Sequence, residues 1–366
     1  MQTLALHELH LALGARFSET GETEVVADYG DSPTEHSALR NAAGVVDLSF
    51  RGRLCLTGSD RARFLNGQVT NNVKDLRTGE GCYAALVTAK GRLESDLNVY
   101  CLPEELLLDF EPGLTKRITE RLEKFIIADD VQIVDASPHY GLLSVQGPKS
   151  GMAVNALGLP IALPTKSMSF AMTNEPTLGE LYLVNHPRLG VDGFDLFVPM
   201  PALGAVMDKL AAAVRETGGQ PCGWKAWETA RIEAGIPRFG VDMDETNLAP
   251  EAGIESRAIS YSKGCYIGQE VISRIRTYGQ VGKALRGLRL EDGLATLPAK
   301  GDKLYHDGKE AGYITSAVMS PALKANIALG YVRKEANEIG GSLTLRTARG
   351  EITAKIVELP FVKPPV

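Results

Sequence analysis

The run SYSKGCYIGQEVISRIR, residues 260–276, sets a thiol, an amide, a carboxylate and cations between glycines. Gln269 supplies a donor–acceptor amide and Glu270 a two-oxygen acceptor, the groups that read the edge of a flat heterocycle. Lys263, Arg274 and Arg276 bring charge for a carboxylate, the arginines in bidentate fashion. Nearby cations lower a thiol's pKa, so Cys265 is a candidate reactive group. The competing reading is an inert, buried cysteine in a turn, as free cysteines usually are. Gly264 and Gly268 permit a close approach of main chain to ligand. A second constellation is LESDLNVYC, residues 93–101. As a strand it puts Glu94, Asp96, Asn98 and Tyr100 on one face, opposite Leu93, Leu97, Val99 and Cys101. That polar face is either solvated exterior or the wall of a cleft. In a cleft, a carboxylate can accept a proton or stabilise a developing cation.

Other chemistries find less support. The five cysteines are odd in number, widely spaced and without a C-x-x-C pair, which argues against a disulfide scaffold or a cysteine-rich cluster site. His7 and His10 share a helix face but lack a third ligand, so no metal site is expected. No G-x-G-x-x-G, P-loop or G-x-S-x-G occurs. A net charge of −6 argues against broad nucleic-acid binding, while leaving room for a local basic site for a small anion. No apolar run is long enough to span a membrane, and the N-terminus lacks the pattern of a signal peptide. A cytoplasmic protein without membrane partners is expected.

The elements that must position these residues can be read in outline. A length of 366 residues implies two or three domains. Residues 34–44 read as a helix closed by Gly44, and 59–67 as a short helix capped by Ser59 or Asp60. Residues 81–88 and 92–100 read as strands joined by a turn at Ala89-Lys90-Gly91. Helices are expected over 114–126, with Glu120 and Lys124 as an i,i+4 pair, and over 201–219 and 224–235. Asp192-Gly193 marks a turn. From 284 onward, short alternating runs broken by Gly, Asp and Pro predict a small barrel. The fold class is α+β over residues 1–283, as two interleaved subdomains, followed by a β-barrel over 284–366.

The run Lys263 to Glu270, with Arg274 after it, resembles the signature of YgfZ-type folate-binding proteins, relatives of the glycine-cleavage T-protein (aminomethyltransferase). The similarity extends along nearly the whole chain. HSALRNAAGVVDLSFRGRLCLTGSDRARFLNGQVTNNV resembles the T-protein opening segment, GVDGFDLF its hairpin, WETARIEAGIPRFGVDMDE its Arg-Leu-Glu-Ala-Gly segment, and GYITSAVMSP, IALGYV and ELPFV its closing barrel. The resemblance implies three domains in a ring around a central tetrahydrofolate cavity. It places Asp96 beside the folate's reactive nitrogens and Asp195 at the carboxylate that pairs with the pterin. Lys263, Gln269, Glu270 and Arg274 would complete the folate contacts. Three departures from the T-protein stand out: Arg188-Leu189 for its Tyr-Thr, Val191 for its Glu, and Trp227 for an arginine.

Two functions follow from this resemblance. In the first, the chain is a tetrahydrofolate-binding accessory protein for iron–sulfur cluster assembly or repair, with Cys265 as a functional thiol and iron–sulfur proteins as partners. In the second, it is an aminomethyltransferase that moves a one-carbon unit to tetrahydrofolate, with Asp96 at the reacting centre and a lipoyl carrier protein as donor. No metal ligand is assigned in either.

Overall fold

A computed structural model describes residues 3–279 and 281–363. Two antiparallel-rich sheets and a closed barrel organise it. The six-stranded sheet runs, in spatial order, Phe170–Glu175, Gly179–Asn185, Gly193–Pro199, Tyr140–Gln146, Gly44–Asp47 and Gln220–Pro221. The five-stranded sheet runs Gly81–Val87, Leu93–Cys101, Leu106–Phe110, Gly52–Thr57 and Gln132–Asp135. The chain passes from Gly44–Asp47 in one sheet to Gly52–Thr57 in the other, then returns at Tyr140–Gln146. The buried cluster containing Val46, Leu48, Tyr100, Leu107, Leu142 and Phe197 draws on strands of both sheets. Lys283–Leu290 opens a closed six-stranded barrel that ends at Gly350–Val357.

The helices follow the apolar spacing. Leu203–Glu216 buries Leu203, Val206, Met207, Leu210 and Val214 against the six-stranded sheet. Full burial of such a side chain stabilises by about 1.5–3 kcal/mol. Trp224–Glu233 and Thr115–Glu123 form as expected, although the i,i+4 pair on the latter is Lys116–Glu120 at 3.8 Å.

Gly44 differs from expectation. The helix Ser32–Asn41 starts at Asp31, whose side chain accepts from the Thr34 amide, and it ends before Gly44. Gly44 instead opens a strand. A Cβ there would stand 2.6 Å from Leu39 Cδ2 and 2.7 Å from Cys222 Sγ, so close packing demands the glycine. Among the described residues, no helix is long and apolar enough to cross a membrane.

Candidate functional site

Strand alternation delivers the site. In Leu93–Cys101, residues 96, 98 and 100 point to one side. Asp96 lines a cavity of about 390 Å³ with Asn98, and Tyr100 lies buried further along the same face. The walls come from distant segments: Arg51, Asn71, Tyr83, Glu111, His186, Arg188, Trp227, Arg231, Arg238 and Arg257 all contribute.

Asp96 is the candidate proton-handling group. The Tyr83 hydroxyl donates to its Oδ2 at 2.9 Å, and its Oδ1 is buried with no hydrogen-bond partner. Burial raises its pKa to about 6, and the negative charge of Glu111 adds to the effect. Arg51 opposes the rise without cancelling it. A carboxyl with a pKa of about 6 is mostly ionised at neutral pH and can still take up a proton, so it can both accept a proton and stabilise positive charge. The exterior-face reading of this strand is therefore replaced by the cleft reading.

Behind the wall runs a network of fixed charges. Arg51 Nε donates to Asp109 Oδ1 at 2.7 Å and its Nη1 to Glu111 Oε1 at 2.5 Å. Arg188 Nη2 donates to Asp109 Oδ2 at 2.6 Å and its Nε to Asp195 Oδ2 at 2.7 Å. Burial opposes ionisation of Asp109, but the two arginines hold its carboxyl well below the usual range. Arg231 is committed to Asp242 at 2.5 Å and to Glu228 at 2.8 Å.

Arg238 differs from these. Its Nε and Nη1 are buried without a hydrogen bond, and its nearest carboxylates stand off at 3.8 Å (Glu111) and 3.5 Å (Glu228). Its guanidinium rests over the Trp224 ring at 4.9 Å. It is a cavity-lining cation balanced only by these two longer ion pairs. Sequence reasoning passed over Arg238, Arg51 and Glu111.

The expected site residues are distributed unequally. Asp96 is on the wall. Asp195 is fully buried one layer behind it, held by Arg188 and by His186 Nδ1 at 3.0 Å, so it does not meet a ligand directly. Lys263 is not free for a carboxylate: its Nζ donates to the carbonyls of Asn66, Val69 and Asn71 at 2.6, 2.7 and 2.6 Å. Gln269, Glu270 and Arg274 lie on the helix Gln269–Tyr278, away from the cavity wall, where Arg274 pairs with Glu270. Gly268 serves packing within the chain rather than ligand approach. With φ at +84° it starts that helix, and a Cβ there would meet the Thr88 carbonyl at 2.5 Å. Cys265 is exposed, not buried, and it does not line the cavity.

The site is thus a two-sheet α+β body carrying a closed barrel, with a carboxyl and several arginines around one hollow. Two family models match in tandem, the GCVT N-terminal domain over residues 6–263 and the glycine cleavage T-protein C-terminal barrel domain over residues 283–363. The chain belongs to the glycine-cleavage T-protein (aminomethyltransferase) family. It is 31% identical to the aminomethyltransferase of Mycolicibacterium paratuberculosis, across 98% of this chain and 96% of that protein. It is likewise 31% identical to a putative chloroplastic transferase of Arabidopsis thaliana, across 95% of this chain and 77% of that protein. The crystal structure of glycine cleavage system aminomethyltransferase T from Bartonella henselae shares the fold, with a TM-score of 0.89 at 22% identity and coverage of 99% of this chain and 98% of that one.

Proposed function

We propose that the cavity binds tetrahydrofolate and that the chain transfers a one-carbon unit to it. The observation that carries this reading is Asp96, a carboxyl with a raised pKa and an unpartnered oxygen on the cavity wall. Bound tetrahydrofolate supplies two nitrogen nucleophiles that bond to the methylene carbon of an aminomethyl group on a carrier thiol, as its C–N and C–S bonds break and ammonia and the thiol leave with the two folate N–H protons. Asp96 Oδ1 accepts a hydrogen bond or proton from such a nitrogen, and its ionised form stabilises positive charge that develops beside it. Arg238 donates to the carboxylates of the ligand's glutamate tail, a pairing strengthened by charge. The names of the relatives support this direction.

The experiment is direct. Purified protein is given tetrahydrofolate and an aminomethyl donor on a lipoyl carrier, and methylene-tetrahydrofolate is measured. Formation by the wild type and its loss in Asp96→Asn is the expected result. A wild type that binds tetrahydrofolate yet yields no product with any aminomethyl donor refutes the transfer step.

The accessory role in iron–sulfur assembly, which goes with the YgfZ-type signature, is the second reading. It has one specific support, the exposed thiol of Cys265. That sulfur lies apart from the cavity lining, so it would act at the surface and not on the bound folate. Iron–sulfur enzyme activities that are unchanged in cells carrying Cys265→Ser would remove the role assigned to the thiol.

A further inference from the structure

His186 follows the strand Gly179–Asn185 and reaches the cavity with 13% of its side chain exposed. Its backbone is already committed, the N–H to the Gly193 carbonyl and the C=O to Gln146 Nε2. The imidazole is what this residue offers a ligand. Its Nδ1 lies 3.0 Å from Asp195 Oδ2 and 3.1 Å from the Tyr100 hydroxyl.

The carboxylate decides where the imidazole proton sits. Burial opposes ionisation of Asp195, but the neighbouring Arg188 and His186 hold its pKa below the usual range, so it is an acceptor only. A bare Nδ1 would set two lone pairs against each other at that 3.0 Å separation. The neutral ring therefore carries its proton on Nδ1 and donates it to Asp195. Burial and the Arg188 charge both disfavour the imidazolium. Nε2 is left as a bare acceptor on the exposed edge, within a wall that Arg51, Arg188, Arg238 and Arg257 make rich in donors.

We propose that His186 reads the ligand: its Nε2 accepts a hydrogen bond from an N–H of the bound heterocycle, and Asp195 is the positioning residue that fixes the tautomer. The inference rests on the tetrahydrofolate reading above. It moves the contact from the buried carboxylate to the imidazole in front of it. It also places that contact away from the transfer centre. Asp96 and Tyr100 are four residues apart on one strand face, about 13 Å along the strand. His186, whose Nδ1 lies 3.1 Å from the Tyr100 hydroxyl, thus lies toward the other end of the hollow.

The test uses the full chain labelled with ¹⁵N-histidine, the His186 signals being assigned with His186→Gln. Tetrahydrofolate is titrated in under anaerobic conditions, with binding followed independently by tryptophan fluorescence. The expected free protein shows a protonated Nδ1 and a bare Nε2, and saturation moves the Nε2 resonance upfield. Asp195→Asn is expected to disturb the tautomer and reduce that movement. His186→Phe is expected to weaken binding about tenfold, the worth of one hydrogen bond. A ring that only supports the fold would give no ligand-dependent Nε2 movement. If tetrahydrofolate binds and Nε2 is already protonated or stays still, the proposal is overturned while the folate reading stands. If no saturable binding occurs, the folate reading falls and the proposal falls with it.

Discussion

Replacing Asp96 by asparagine should make the ligand-free protein more stable, and by an amount that depends on pH. The folded state lifts this carboxyl from 3.8 to about 6, chiefly through burial. Ionising it in the fold therefore costs about 3 kcal/mol more than ionising it in the unfolded chain. The sign follows from proton counting. Below about pH 4 both states hold the proton and no penalty exists. Between about pH 4 and pH 6 the unfolded state loses its proton first, so the folded state is progressively disfavoured. Above that window the full penalty remains. Asparagine keeps an oxygen to accept from Tyr83 and never ionises. The stability gap between Asp96→Asn and wild type should widen by about 2 kcal/mol from pH 4 to pH 7. Urea unfolding followed by tryptophan fluorescence measures this. Both tryptophans report on the region, since Trp224 and Trp227 stack at 6.1 Å and Trp227 lines the cavity. A gap that stays constant with pH would show that Asp96 is not a destabilised carboxylate and would remove the basis for its chemical role.

Other consequences can be checked separately. One-carbon transfer should rise with pH through an apparent pKa near 6, and Asp96→Asn should lower kcat/KM by about 10²–10⁴-fold and flatten the profile. Arg238→Leu should weaken tetrahydrofolate binding by about 1.5–3 kcal/mol, yet leave a pterin without the glutamate tail nearly unaffected in a parallel titration. Asp242→Ala should destabilise the protein by about 3–5 kcal/mol in denaturant titrations. It removes one of the two carboxylates that pair the buried Arg231, leaving Glu228, and it removes the acceptor for Thr315 and Ser316 of the barrel, each 2.6 Å away. A thiol reagent should show one fast-reacting cysteine that disappears in Cys265→Ser. Burial lifts the Cys82 thiol to about 12 and raises that of Cys101 as well, which slows both.

The architecture was largely legible because periodicity and turn chemistry are local signals. The alternation around Asp96, the apolar stripe of 203–216 and the barrel's short strands all formed where spacing placed them. The site was legible only where a side chain's role followed from its strand face. Asp96 met that condition. Asp195 lay in a segment read only as a turn and, by resemblance, a hairpin, and the sequence does not reveal that Arg188 and His186 stand between it and the cavity. The charges of 263–276 looked available because their partners are nearly two hundred positions earlier or one helical turn away. Lys263 spends its protons on carbonyls at 66, 69 and 71, and Arg274 turns to Glu270. Gly44 carried a helix-end signal that was overruled by Leu39 and Cys222, contacts that only the folded chain supplies.

Lys263 has a wider consequence. Its ammonium ties together three oxygens at the exit of the helix Arg61–Gln68, much as a coordinated ion would, but the ligand cage is welded into the polymer and cannot be chelated away. Because Asn71 belongs both to that cage and to the hollow's rim, acylating this one amine would loosen a margin of the cavity from behind its wall.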